Sequence, residues 1–319
     1  MFDQETATLL RVLDEGFPPV QDMDPLAARE AVAARRAPVT NLDDVREAVD
    51  LRVEAPHGAV PVRVYRPHAD DLADPPGVIV FAHGGGFVLC DVDSHDGFCR
   101  AMARGTGSVV VSVDYRRAPE HRAPAAVEDV FAAVVWAAEH GAGDGVGSGG
   151  VLVAGDSAGG NIAAGAALLV RERGGPALAG QVLLYPVIDP GCDMPSQRSH
   201  GTGYFLTTAA MRWYWRQYLG ETPALDPDTV ALVAPLRAGS LRGLPPAIVV
   251  TGRLDPLHSE AVAYGAALGA AGVPVVLREY PALFHGFATI GPFGPAAAAR
   301  SILWSDIRAL LTVRAQEVR

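Results

Sequence analysis

Six short strand-like runs, near residues 78–82, 109–113, 151–154, 182–185, 247–251 and 275–280, alternate with stretches of helical patterning. Continuous apolar runs of this length suit strands covered on both faces. The helices between them are the crossovers that parallel strands require. The pattern therefore predicts a mostly parallel sheet flanked by helices, with right-handed crossovers. Upstream, Val49-Asp50-Leu51-Arg52-Val53 and Val60-Pro61-Val62-Arg63-Val64-Tyr65 alternate in polarity and predict an edge hairpin, for eight strands in all. With 319 residues, 49% of them hydrophobic, the chain is long enough for one large α/β domain with an insertion.

The spacing breaks once. About sixty residues separate the run ending at 185 from the one starting at 247, more than one crossover helix needs. Within that gap lies an aromatic helix, Trp213-Tyr214-Trp215 to Tyr218, with Thr207 or Thr208 as its N-cap and Gly220 as its stop. At the N-terminus, residues 2–14 and 25–36 read as helices outside the sheet pattern, the second opened by Asp24 and Pro25. The expected division is a core of 46–188 and 236–319 under a helical cap of 1–45 and 189–235. One face of the aromatic helix should pack on the body and another should overhang the site.

The chemistry-bearing motifs follow the predicted strands. Gly155-Asp156-Ser157-Ala158-Gly159 comes straight after Val151-Leu152-Val153-Ala154 and before an Ala-rich helix. That strand, turn and helix setting lifts a serine hydroxyl clear of a sheet edge, as a nucleophile elbow does. His83-Gly84-Gly85-Gly86 follows Val78-Ile79-Val80-Phe81-Ala82. Its glycines let main-chain N–H groups approach a ligand oxygen, so Gly84 and Gly85, with Ala158, are the expected oxyanion donors. His83 itself reads as a structural histidine bonded to its own loop. A serine needs a base, and the base an orienting acid. His285 follows the strand at 275–280 and Asp255 follows the strand at 247–251, which places both at the ligand-binding edge of a parallel sheet. Asp189, also after a strand, and Glu260 are the rival acids; His258 lies too close to Asp255 to face it from another loop. Phe87, Tyr204, Phe205 and Trp213 are the candidate substrate-pocket residues.

The chain resembles the bacterial hormone-sensitive-lipase-like esterases of the α/β-hydrolase superfamily. The resemblance rests on His83-Gly84-Gly85-Gly86-Phe87, Asp114-Tyr115-Arg116 with Ala118-Pro119-Glu120, Gly155 to Asn161, Leu184-Tyr185-Pro186, Asp255-Pro256-Leu257 and His285-Gly286-Phe287. It implies an α/β-hydrolase fold with a helical cap, a Ser157–Asp255–His285 triad, no cofactor or metal, and hydrolysis of short-to-medium acyl esters through an acyl-enzyme. Departures stand at Cys90, at Arg117 and at His258-Ser259-Glu260. An amidase or peptidase would share the triad. A non-catalytic receptor, as in the related plant gibberellin receptors that lack the histidine, is disfavoured because His285 is present.

A net charge of −10 with no basic patch argues against nucleic acid or an anionic membrane surface as partner. No secretory segment or membrane-spanning run stands out, and Cys90, Cys99 and Cys192 have no metal-ligand spacing. These features predict a cytoplasmic protein acting on a small-molecule ester, without stable membrane insertion, with homodimerisation an open possibility. The glycine-rich stretch 141–150 precedes a strand, opposite to a dinucleotide turn.

Overall fold

The computed structural model describes residues 4–74, 76–141, 149–221 and 225–317, so most of the glycine-rich stretch lies outside the described residues. Eight strands form one sheet: β1 Glu47–Val53, β2 Val60–Arg66, β3 Val78–Ala82, β4 Val109–Val113, β5 Val151–Asp156, β6 Leu178–Leu184, β7 Ala247–Leu254 and β8 Val275–Phe284. Their order is β1-β2-β4-β3-β5-β6-β7-β8. The hairpin β1–β2 and the pair β2–β4 are antiparallel, and every other pairing is parallel. The strand count and the edge hairpin agree with the sequence reading.

The runs form strands because both faces of the sheet are covered. Val78, Val80 and Ala82 of β3 point into one hydrophobic cluster, whereas Ile79 and Phe81 point into another. The first cluster is closed by the helices α4 Ala125–His140, α5 Ala158–Glu172 and α9 His258–Ala270. The second is closed by α3 Asp96–Thr106 and α10 Gly294–Glu317. All of β3, β4, β5 and β6 is buried. Each large apolar side chain so buried contributes about 1.5–3 kcal/mol, which explains continuous rather than alternating hydrophobicity in the centre.

The remaining helices are α1 Gln4–Gly16, α2 Pro25–Ala33, α6 Pro195–Ser199, α7 Thr208–Leu219 and α8 Pro227–Val233. Helix α2 starts as expected, with Pro25 first and the Asp24 carboxylate accepting the Leu26 N–H at 2.9 Å. Helix α7 is capped by Thr207, whose hydroxyl accepts the Ala210 N–H at 3.0 Å, and is followed by Gly220. Several contacts tie the N-terminal segment to the rest. Arg29 donates to the Val88 carbonyl at 2.7 Å and grips both oxygens of Glu120. Asp14 accepts the Phe205 N–H at 2.7 Å, and the rings of Phe17 and Phe205 meet edge to face at 5.2 Å. No helix among the described residues is long and apolar enough to cross a membrane.

Candidate active site

Strand register brings the motifs together. Ala82 pairs with Gly155, so the chain leaving β3 at His83 runs beside the chain leaving β5 at Asp156 and Ser157. At the other side, a register shift between Gly252 and Leu254 sets Leu254 opposite Phe284. The next residues on the two chains are Asp255 and His285.

The turn at Ser157 is strained. Its φ of 55° and ψ of −120° lie in a region that non-glycine residues rarely occupy, at a cost of about 1–3 kcal/mol. Hydrogen bonds on both sides hold it there: the Ser157 N–H donates to the Leu184 carbonyl at 2.8 Å, and the Ser157 carbonyl accepts the Val187 N–H at 3.1 Å. Each contributes about 0.5–1.5 kcal/mol. Every residue of α5 from Ala158 to Val170 is buried, so the helix cannot swing away to relax the turn. The flanking glycines are needed for close approach. A Cβ on Gly155 would lie 2.2 Å from the Gly159 carbonyl oxygen, and one on Gly159 would lie 2.0 Å from that of Ala82.

Three predicted residues form a relay. His285 Nε2 lies 2.9 Å from Ser157 Oγ, and His285 Nδ1 lies 2.8 Å from Asp255 Oδ2. A carboxylate only accepts, so Nδ1 is the donor to Asp255 and Nε2 is left to face the serine hydroxyl. The second Asp255 oxygen accepts the Leu257 N–H at 2.7 Å, and Asp255 is fully buried. Tyr185 packs edge-on to the imidazole, with ring centres 5.0 Å apart. The rival acids are occupied elsewhere. Asp189 pairs with Arg237 at 2.8 Å, and Glu260 accepts the Ile188 N–H at 3.1 Å. Burial holds the Glu260 carboxyl well above the usual carboxylate range. His258 faces Glu279 at 2.8 Å.

The oxyanion assignment needs one correction. The Gly84 N–H donates to Asp156 Oδ1 at 2.7 Å, and its single hydrogen is then spent. Among the described residues, no acceptor engages the N–H groups of Gly85, Gly86 or Ala158. Ala158 opens α5, where N–H groups lack intrahelical partners and the helix dipole favours negative charge. Gly85 and Gly86 line the same cavity as Ser157 and His285. Gly86, the third glycine of the motif, thus has the uncommitted N–H that the sequence reading expected at Gly84. It has φ of 61°, and a Cβ there would strike the Tyr214 ring. His83 is buried and donates from Nδ1 to the Gly84 carbonyl at 2.8 Å. Burial pushes its pKa down to about 3, so the ring is neutral.

The cavity over Ser157 has a volume of about 340 Å³. That lies at the lower end for small-molecule sites. Its walls are mostly apolar and come from both predicted cap segments: Leu13, Phe17, Val20 and Val32 from the first, and Phe205, Leu206, Ala210, Met211 and Tyr214 from the second. Of the four aromatic pocket candidates, Phe205 lines it. The other three are corrected. Phe87 stacks flat on Tyr218 at 3.9 Å and is 1% exposed; Trp213 is buried against Tyr214; Tyr204 packs edge-on to His200 at 4.9 Å. Helical spacing could have identified Ala210, Met211 and Tyr214 as one face of α7, since residues three and four apart are neighbours. The departures at Cys90 and Arg117 meet: the Arg117 guanidinium donates to the Cys90 carbonyl, and Cys90 lines the cavity. Among the described residues, no group of three or more His, Cys, Asp or Glu is placed to hold a metal ion.

Comparison with known proteins gives the family. The profile of the alpha/beta hydrolase fold family matches residues 79–289. The chain is 44% identical over 250 residues to the esterase LipI of Mycobacterium tuberculosis, covering 78% of this chain and 77% of the relative. An ethyl acetate hydrolase of Pseudomonas putida is 36% identical over 280 residues, covering 84% and 86%. Among solved structures, a thermostable esterase from Pseudomonas putida superposes with a TM-score of 0.89 at 35% identity, covering 97% of this chain and 98% of the other.

Proposed function

The chain belongs to the hormone-sensitive-lipase-like esterases of the α/β-hydrolase family and is a carboxylic ester hydrolase; we propose that it cleaves short-to-medium acyl esters through an acyl-enzyme on Ser157. His285 takes the Ser157 proton as the oxygen attacks the ester carbonyl. Asp255 fixes the His285 tautomer and stabilises the imidazolium that forms. The N–H groups of Gly85, Gly86 and Ala158 receive the oxyanion. His285 then passes its proton to the leaving alcohol, and water attacks the acyl-enzyme with His285 again as base.

The observation that carries this reading is the continuous relay Asp255–His285–Ser157, with contacts of 2.8 and 2.9 Å, opening into an apolar cavity. The cavity volume supports acyl chains of modest length. The test is the rate of p-nitrophenyl butyrate hydrolysis by wild type and by Ser157→Ala. The variant is expected to lose at least ~10³-fold in kcat, because members of such a relay act as a unit. Turnover by Ser157→Ala within tenfold of wild type contradicts the assignment. A p-nitrophenyl series from acetate to palmitate is expected to peak at short or medium chains.

A further inference from the structure

Asp156 precedes the nucleophile but takes no part in the proton relay. Its side chain is only 5% exposed, yet it lines the cavity. One oxygen, Oδ1, accepts the Gly84 N–H at 2.7 Å and lies 3.2 Å from His95 Nε2. The other, Oδ2, is 2.5 Å from the point where a Cβ on Gly84 would stand. The carboxylate therefore sits flush against the glycine loop, one peptide away from the free N–H groups of Gly85 and Gly86.

Among the described residues, His95 is the only cationic candidate in contact with this carboxylate, and both of its ring nitrogens have polar neighbours. Nε2 faces a carboxylate, which only accepts, so Nε2 carries a hydrogen. Nδ1 lies 2.9 Å from Ser94 Oγ. That hydroxyl has one hydrogen, which it gives to the Asp91 carbonyl at 2.6 Å while accepting the Asp91 N–H at 3.0 Å. With that hydrogen on the carbonyl, Nδ1 is left to donate to Oγ, and a histidine that donates from both nitrogens is an imidazolium, which is the state the pair requires. The neighbouring His83 ring, 5.6 Å away, is neutral and supplies no competing charge.

We propose that Asp156 and His95 form a positioning pair behind the oxyanion donors: the Asp156 carboxylate pins Gly84 and so sets the Gly85–Gly86 turn, and protonated His95 neutralises that carboxylate so that it does not repel the oxyanion. This inference rests on Ser157 as nucleophile. It explains why a carboxylate can lie next to a site that must accumulate negative charge. Without a counter-ion, the same carboxylate opposes the transition state through a water-poor cavity, where charges interact strongly.

The test is a set of four variants, each assayed on p-nitrophenyl butyrate with melting temperature as the folding control. Asp156→Ala leaves Gly84 without an acceptor and is expected to lower kcat about 10²-fold, the scale of one lost oxyanion donor, with KM changed less than threefold. Asp156→Asn keeps an acceptor oxygen and is expected to recover about tenfold of that loss. His95→Gln leaves the carboxylate uncompensated and is expected to lower kcat by about tenfold. The double variant His95→Gln with Asp156→Asn is expected to lose about tenfold, no more than either single variant, because the charge that needed neutralising is gone. Two residues that serve only packing independently predict the product, and a double variant that loses about 10²-fold overturns the proposal, as does wild-type kcat in His95→Gln. Should the alanine variant not fold, nitrogen NMR of the wild type at pH 7 decides: two protonated ring nitrogens at His95 support the pair, and one overturns it. Labelling of wild type by an alkyl fluorophosphonate separates the two levels. If Ser157 is not modified, the nucleophile assignment fails; if it is modified while the variants match wild type, the positioning pair fails.

Discussion

At the residue scale, the account turns on which acid faces His285. Asp255 is fully buried and bonded to Nδ1, whereas Asp189 is engaged by Arg237. Asp255→Asn removes the charge that stabilises the imidazolium and offers a side chain able to hold the wrong tautomer. Its kcat is expected to fall by about 10²–10⁴-fold. Asp189→Asn breaks a half-exposed ion pair and is expected to change kcat by less than threefold. Steady-state kinetics of both variants check this, and a larger loss in Asp189→Asn moves the acid. The meeting of Ser157, Asp255 and His285 was legible in the sequence because each follows a predicted strand, and the sheet edge then collects them. Gly84 was misread because its N–H is claimed by Asp156, on a neighbouring strand. His95 carried no local signal at all. It sits in the loop before α3, and only the fold brings its ring to Asp156.

At the scale of elements, close approach of backbone decides which glycines are replaceable. Gly159 lies in the first turn of α5, and a Cβ there meets the Ala82 carbonyl at 2.0 Å. Gly159→Ala must push β3 from α5 and is expected to cost at least ~2 kcal/mol and most of the activity. Gly265, within α9, has only ordinary contacts near 3.8 Å. Gly265→Ala is expected to be neutral or to stabilise by up to ~1 kcal/mol, since alanine is the better helix former. Thermal unfolding of the two variants measures the contrast, and equal effects contradict it. The strands were readable because burial on both faces leaves a continuous apolar signature. The role of α7 was readable only as a tendency. Trp213, Trp215 and Tyr218 pack into the body while Tyr214 faces the cavity, and that partition depends on partners such as Phe87 that no local pattern identifies.

At the scale of the whole molecule, buried neutral histidine links stability to pH. Burial lowers the His83 pKa to about 3, whereas in the unfolded chain it titrates near 6.5. Between those values the unfolded chain binds more protons, so stability rises with pH across the window and falls on acidification from about 6.5 towards 3. Melting temperature is expected to drop between pH 7 and pH 4, and to drop less in His83→Gln; an equal drop in both assigns the acid sensitivity elsewhere. Intact-protein mass spectrometry after exposure to an alkyl fluorophosphonate tests the central claim most directly. The account predicts one adduct per chain, located on Ser157, with esterase activity lost in proportion and no adduct on Ser157→Ala. Full loss of activity with Ser157 unmodified, or hydrolysis by the unlabelled Ser157→Ala protein at the wild-type rate, contradicts it.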